Sequence, residues 1–290
     1  MTIKNKIIAG RASRCGLHTS TAGGLGEMLK RAEALGEDAA QIFVKSNRQW
    51  GMSILPETER VGFLQGKRDM DLWVCAHAGY LVNPAGLAEI RKKSITSLAE
   101  EIRRAEDLEL ETVVVHCGSR GDAPAKSSVS RAVAGFLEAL DRSGTNRIRL
   151  ALENSAGQGT CLASGIEEWG EMVHGLPAKR RAACLDTAHA FAAGFDLRTE
   201  EGREVLLKTC ERWVGLDSLA VLHANDSKTD CGSQVDRHEH LGQGKIGARG
   251  LRAFLADGRL RGIPRIGELP PGEKEDRENL AFLRSCSDAS

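Results

Sequence analysis

Short apolar runs recur along the chain, each stopping at a polar residue or a loop and each followed by a stretch of helical spacing. They lie at 14–18, 39–44, 72–76, 113–115, 148–152, 183–185, 219–222 and 263–267. Aliphatic runs of this length, bounded by loops, read as strands buried on both faces. After the first, Ser20-Thr21-Ala22-Gly23-Gly24 opens a helix that runs to Leu35, and a polar loop at 45–50 follows the second. The longest helical pattern carries Ile90, Ile95, Leu98, Ile102, Ala105 and Leu108, largely at three- and four-residue steps. Further helical segments fall near 129–140, 166–173, 201–213, 251–255 and 277–283.

Eight strand–helix units predict an α/β fold: a single-domain TIM (β/α)8 barrel over residues 13–290 with right-handed crossovers, preceded by a tail at 1–12. A doubly wound open sheet is the alternative. The placement of polar residues favours the barrel. Six of the runs end at His77, His116, Glu153, Asp186, His223 and Glu268, and in a barrel the strand C-termini converge on one face. No linker, solenoid repeat or low-complexity segment interrupts the pattern.

Composition narrows the function classes. Forty Lys and Arg balance forty Asp and Glu, so no global basic field holds nucleic acid, and any such contact needs a local patch or a metal site. No apolar segment approaches the length of a membrane span, so no membrane is expected as a partner. The eight cysteines include no CxxC pair and no hydrophobic signal peptide precedes them, which predicts a reducing, intracellular setting. The opening 1–14 carries Lys4, Lys6, Arg11 and Arg14 and no acid, which reads as a frayed tail, with an organelle-targeting remnant as the other reading.

Taken singly, each strand-end residue has an ordinary explanation as a structural histidine, a helix cap or an ion-pair partner. Six together on one face are costly unless something pairs with them, and a cation is the economical partner. Asp186-Thr187-Ala188-His189 adds an imidazole one helical turn from an acid. In the glycine-rich loop at 232–244, Asp236 and His238 are two apart, so an extended backbone turns both the same way. One zinc ion takes about four ligands, so these nine donors predict a cluster of two or three ions bridged by a carboxylate. Imidazole-rich ligation favours Zn2+, with Mn2+ or Fe2+ in part, over Mg2+ and Ca2+. Cys117 is turned away from the cluster by strand alternation, and neither it nor Cys184 is assigned to metal.

The stretches Gly232-Ser233-x-x-Asp236-Arg237-His238-x-x-Leu241-Gly242-x-Gly244, Ala182-x-Cys184-Leu185-Asp186-Thr187-Ala188-His189-x-Phe191-Ala192-Ala193-Gly194-Phe195 and His77-x-x-Tyr80-Leu81-Val82-Asn83 resemble the three signatures of the endonuclease IV family of zinc-dependent apurinic/apyrimidinic endonucleases. The similarity extends across nearly the whole barrel, through Gly16-x-His18, Ala22-Gly23-Gly24, Asn47-Arg48-Gln49-Trp50, His116-x-Gly118-Ser119 and Glu153-Asn154-x-Ala156-Gly157-Gln158-Gly159. The resemblance implies a TIM-barrel hydrolase with three zinc ions. Such an enzyme cuts double-stranded DNA 5′ to an abasic site, leaves a 3′-OH and removes 3′ blocking groups. It implies a monomer without a nucleotide cofactor, acting inside the cell, and in the cytoplasm or at the nucleoid if that cell is bacterial.

Carried over by position, the resemblance implies that His77 and His116 hold one zinc with Glu153, which bridges to a second. Asp186, His223 and Glu268 complete the second, and His189, Asp236 and His238 hold the third. Glu153, Asp186 and Glu268 are the implied catalytic carboxylates. Arg48, Tyr80 and Leu81 are assigned to loops that enter the duplex. A planar cation, an aromatic ring and an aliphatic wedge can fill the space left by an extruded nucleotide, and a missing base makes extrusion cheaper. His18 and Gln158 are further implied DNA contacts. Gly157 and Gly159 beside Gln158 let backbone approach a phosphate, although a tight turn explains them as well.

Three positions depart from the family pattern: Pro84 replaces an apolar residue, Gln243 a frequent glutamate, and Gly267-Glu268-Leu269 the usual Leu-Glu-Thr. None removes a ligand. Two other classes remain open. A sugar isomerase or epimerase uses a related barrel with one or two ions and has no need of His189, Asp236 and His238. A metal-stabilised nucleic-acid binder would show no turnover.

Overall fold

A computed structural model describes residues 13–286, so the predicted tail at 1–12 and the last positions of the predicted barrel lie outside the described residues. The elements run β1 (Cys15–His18), α1 (Leu25–Leu35), β2 (Ala39–Phe43), α2 (Glu57–Asp69), β3 (Trp73–His77), α3 (Ala88–Asp107), β4 (Thr112–His116), α4 (Ala125–Ser143) and β5 (Arg149–Glu153). They continue with α5 (Ile166–His174), β6 (Arg181–Asp186), α6 (Thr187–Ala192), α7 (Glu200–Trp213), β7 (Leu219–His223), β8 (Asp226–Ser227), β9 (His238–Glu239), α8 (Gly247–Leu255), β10 (Arg265–Gly267) and α9 (Glu273–Ser285). Strands β1 to β7 and β10 close a barrel in which β1 joins β10, which rules out the open sheet. Every neighbouring pair is parallel. No helix among the described residues is long and apolar enough to cross a membrane.

Two elements differ from the sequence expectation. Helix α2 buries only Phe63 and Leu64, too little for a periodic stripe. Its charges define it instead, with Glu57 and Glu59 in the first turn and Lys67 and Arg68 in the last, each sign matched to the helix dipole. The loop after β7 contains an antiparallel pair, Asp226 facing Glu239 and Ser227 facing His238, where the turn-rich composition read as open loop.

The pleat sorts each strand into an inward and an outward set. Outward side chains pack with the helices in one large apolar cluster. Inward ones form a second cluster that includes Ala39, Cys75, Val114, Ala151, Ala182, Val221 and Ile266. Mostly small side chains suffice here because the barrel is narrow. At Gly16 on β1 a Cβ would stand 1.7 Å from the Ala39 carbonyl oxygen, so only glycine lets these strands pair. Two residues beyond Ala39, Cys75, Val114, Ala151, Cys184, Val221 and Ile266, still inward, lie the polar groups of the mouth.

Glu37, between α1 and β2, is buried and accepts the Leu17 amide at 3.0 Å and the Thr19 hydroxyl at 3.0 Å. Burial lifts its carboxyl to about 7 against the pull of those two donors. The folded chain therefore holds a proton that the unfolded chain releases near 4.5. The associated stability is complete below that value and is lost as pH rises through about 7. Glu37→Gln keeps the acceptor without the proton. The gap in unfolding free energy between variant and wild type should change by up to about 3 kcal/mol from pH 4 to pH 8. A gap independent of pH in urea titrations would refute this.

Candidate metal centre

Nine candidate ligands meet at the C-terminal mouth of the barrel. Among the described residues three groups can each hold an ion: His77, His116 and Glu153; Glu153, Asp186, His223 and Glu268; and Asp186, His189 and His238. Glu153 is fully buried at the centre. Its Oε2 lies 3.2 Å from both His77 Nε2 and His116 Nε2, and its Oε1 lies 3.1 Å from His223 Nδ1 and 3.3 Å from His189 Nδ1. Asp236 extends the third group, 3.3 Å from His189 Nε2 and 3.3 Å from His238 Nε2. Asp186 faces two groups, with Oδ2 3.9 Å from His223 Nδ1 and 3.7 Å from His238 Nε2. The sequence reading had given it to one.

Local structure explains how each ligand is aimed. Asp186 caps α6, where its Oδ1 accepts the His189 amide at 2.8 Å, so a single helical turn carries the second donor back over the first. Asp226 holds the third group's loop. Its buried carboxylate accepts the amides of Ser227, Gly242, Gly244, Ile246 and Gly247. At Gly244 a Cβ would stand 2.5 Å from the Ser227 carbonyl and 2.6 Å from Asp226 Oδ1, which accounts for glycine there.

Four imidazoles are locked in tautomers that suit a metal. A carbonyl oxygen can only accept, so His77 Nδ1 donates to Ala78 (2.7 Å), His189 Nδ1 to Asn154 (2.9 Å) and His238 Nδ1 to Glu268 (2.7 Å). In the neutral ring that a metal requires, each therefore presents a bare Nε2 to the cluster. His223 is the reverse, with Nε2 donating to Gln41 Oε1 at 2.9 Å and Nδ1 left bare towards the carboxylates. The buried Nε2 atoms of His189 and His238 have no hydrogen-bond partner although a carboxylate lies near. Lone pairs converging without protons between them are the arrangement a cation completes.

The charge pattern agrees. Burial opposes ionisation of Glu153, but His116 and His223 outweigh it and hold the carboxyl well below its usual range. Glu268 and Asp236 are likewise held low against burial, by His223 and His18 in one case and by His189 and His238 in the other. His238 rises to about 9 despite burial because Asp186 and Asp236 attract its proton. The same anionic field that retains protons without metal attracts a divalent ion, and the two compete for the same nitrogens. Burial instead keeps the thiol of Cys184, one layer below in the barrel, protonated up to about 12. Cys117 packs outward with the helices.

Residues 29–286 match the family described as the xylose isomerase-like TIM barrel. A protein of Chloroflexus aurantiacus described as a probable endonuclease 4 is 37% identical over 277 residues, covering 94% of this chain and 97% of the relative. One from Oleidesulfovibrio alaskensis with the same description is 39% identical over 275 residues, covering 93% of each. The crystal structure of endonuclease IV from Thermus thermophilus superposes with a TM-score of 0.87 at 38% identity, covering 96% of this chain and all of that one. The chain belongs to the endonuclease IV family of metal-dependent AP endonucleases. A D-tagatose 3-epimerase-like protein shares the barrel at a TM-score of 0.73 and 20% identity, a likeness of fold alone.

The residues that the endonuclease IV resemblance assigns to DNA rim this mouth unevenly. Tyr80 is 56% exposed, and its ring stacks on His116 with centroids 5.9 Å apart and meets Phe43 edge-on at 5.3 Å. Arg48 is exposed and Leu81 half-buried. His18 packs on Phe43 at 4.2 Å and accepts from Gln41 Nε2, while burial holds it below its usual range despite Glu268. Gln158 is half-buried with Oε1 lacking a partner, in a turn where Gly157 takes φ +85°.

The departures from the endonuclease IV pattern have local explanations. Pro84 fits against α4, where a Cβ on Gly135 would meet the proline Cβ at 2.7 Å. At Gly267 a Cβ would stand 2.9 Å from Leu17 Cδ2 and 3.0 Å from Leu269 Cδ1, so Leu269 occupies the space a larger residue would take. Gln243 is exposed in a turn.

Sequence reasoning missed the residues that orient the ligands. Gln41 joins His18, His223 and Glu268, with its Nε2 2.6 Å from Glu268 Oε1. Asn225 donates to Asp186 Oδ2 at 2.6 Å and accepts the Glu268 amide at 2.7 Å. Asn154 accepts the Asp186 amide at 2.7 Å and donates to its carbonyl. A signal for Gln41 existed: it stands at the inward position two beyond Ala39, as His77 stands beyond Cys75.

Proposed function

We propose that this enzyme hydrolyses the phosphodiester 5′ to an abasic site in double-stranded DNA, leaving a 3′-OH, with three zinc ions, and that it also removes 3′ blocking groups. It works inside the cell as a monomer and needs no nucleotide cofactor. The supporting observation is the set of four imidazoles whose far nitrogens are occupied, so that bare nitrogens and four buried or half-buried carboxylates face one space. His77, His116 and Glu153 would hold one ion; Glu153, Asp186, His223 and Glu268 a second; His189, Asp236 and His238, with Asp186 near, a third. Bound there, zinc supplies neutralisation of phosphate charge, a nucleophile available at neutral pH and stabilisation of the leaving oxygen.

The chain's own contribution is orientation. Glu153 separates the first two groups while touching both, and Asn225, Gln41 and Asn154 keep the carboxylates and imidazoles from turning away. Tyr80 beside His116 puts a wedge-sized ring next to the first group, and Arg48 and Leu81 stand on the loops beside it. Gln158 and His18 complete the DNA contacts. An absent base lowers the cost of turning the damaged nucleotide towards the ions, which supports abasic rather than intact DNA as substrate.

The test pairs elemental analysis with a nicking assay on a synthetic abasic duplex. The expected result is close to three zinc ions per chain and one incision 5′ to the lesion. One or two ions with epimerisation of a ketohexose would favour a sugar enzyme. Three ions with binding but no incision would leave a non-catalytic binder.

A further inference from the structure

One charged pair lies outside the metal centre and is buried as deeply as the ligands. Lys45 Nζ is 3.6 Å from Glu101 Oε1, with side chains 4% and 1% exposed. Burying an ammonium is costly unless it is paired and its donors are used, and here it faces a carboxylate and donates to two carbonyls. The carbonyls are those of Gln49 at 2.5 Å and Trp50 at 3.2 Å. Glu101, in the middle of α3, is equally committed, with Oε2 accepting the Gly79 amide at 2.8 Å and Oε1 the Ser97 hydroxyl at 2.9 Å. Burial lifts its carboxyl above the usual range, against the pull of Lys45 and these donors.

The two residues therefore grip two different loops. Lys45 fixes the carbonyls just after Arg48, and Glu101 fixes the amide just before Tyr80. The loops also touch: a Cβ on Gly79 would stand 3.4 Å from the Asn47 carbonyl oxygen. We propose that the Lys45–Glu101 pair is a positioning element that locks the 45–50 loop to the 79–83 loop, so that Arg48, Tyr80 and Leu81 meet damaged DNA as one preformed unit. An apolar pair would fill the same space at less cost but would bind neither the carbonyls nor the amide. Loops held in register beforehand lose less conformational freedom on binding, so the pair acts on recognition of the lesion and leaves the chemistry at the ions alone.

This inference rests on the functional reading above, and its test separates the two. Zinc-loaded Lys45→Met is compared with wild type on an abasic duplex carrying 2-aminopurine opposite the lesion, and on bis(p-nitrophenyl) phosphate, a diester too small to touch the loops. The expected result is a KM for the duplex raised by about tenfold and a loss of the 2-aminopurine emission rise. Hydrolysis of the small diester stays within about twofold, which separates a loss of recognition from a loss of chemistry. Equal losses on both substrates would overturn the proposal in favour of general support of the metal centre, and no change on either would overturn it outright. Hydrogen exchange on zinc-loaded Glu101→Gln gives an arm that needs no DNA. Faster exchange at both 46–50 and 79–82, with 236–240 unchanged, supports the lock, and faster exchange in one loop only defeats it. Were wild type not to cut the duplex, the functional reading would fall while this arm still decided the coupling.

Discussion

Glu153→Gln should lower incision of an abasic duplex by at least about a thousandfold and reduce the metal content of the protein. The carboxylate is fully buried, and its two oxygens divide four imidazoles between them, two on each. An amide of the same shape carries no charge, and only one of its two heads can accept a metal. Electrostatic stabilisation by clustered ions is worth several kcal/mol, and about 4 kcal/mol is about a thousandfold in rate. The folded barrel should survive, because glutamine fills the same volume and the strand pairs on either side of β5 are made by backbone. Elemental analysis, a nicking assay and far-UV circular dichroism on one preparation decide the matter. Incision near the wild-type rate with unchanged metal would show that Glu153 bridges nothing.

Asp226→Ala is expected to have the other large effect, on the third group alone. Five backbone amides converge on this carboxylate, four of them from 242–247, and alanine leaves them without an acceptor. Each unsatisfied amide costs about 1–3 kcal/mol, less where water can enter, so a total loss of about 3–6 kcal/mol is expected. For a domain of this size that is a fall of roughly 6–12 °C in the unfolding midpoint of the metal-free protein. The released segment carries Asp236 and His238, so metal should fall by one ion per chain while the ion at His77, His116 and Glu153 stays. A variant with wild-type metal content and an unshifted midpoint would show that the loop is held by other contacts.

The barrel was legible because its strands carry their own boundaries. Each apolar run stops at the residue that enters the mouth, and β3, β4, β5, β6 and β7 end at His77, His116, Glu153, Asp186 and His223 as read. Helix α2 was not legible, since it buries two side chains and leaves no apolar stripe. The β8–β9 pair was hidden for a different reason. It is two residues long on each side and depends on Asp226 reaching amides some twenty positions away, a contact that no local pattern encodes.

By itself the order of residues determined which side chains would be candidate ligands and that the six at strand ends would share one end of a barrel, because a period of two along a strand dictates the face and parallel strands bring their ends together. Only the tertiary structure decided how those ligands divide into groups, that Asp186 faces two of them, and which nitrogen each histidine presents. Those outcomes depend on Gln41, Asn154, Asn225, the Ala78 carbonyl and the Glu268 backbone, whose partners are mostly far off in sequence. A hydrogen bond has a direction set by both ends, and its second end exists only once the barrel has closed.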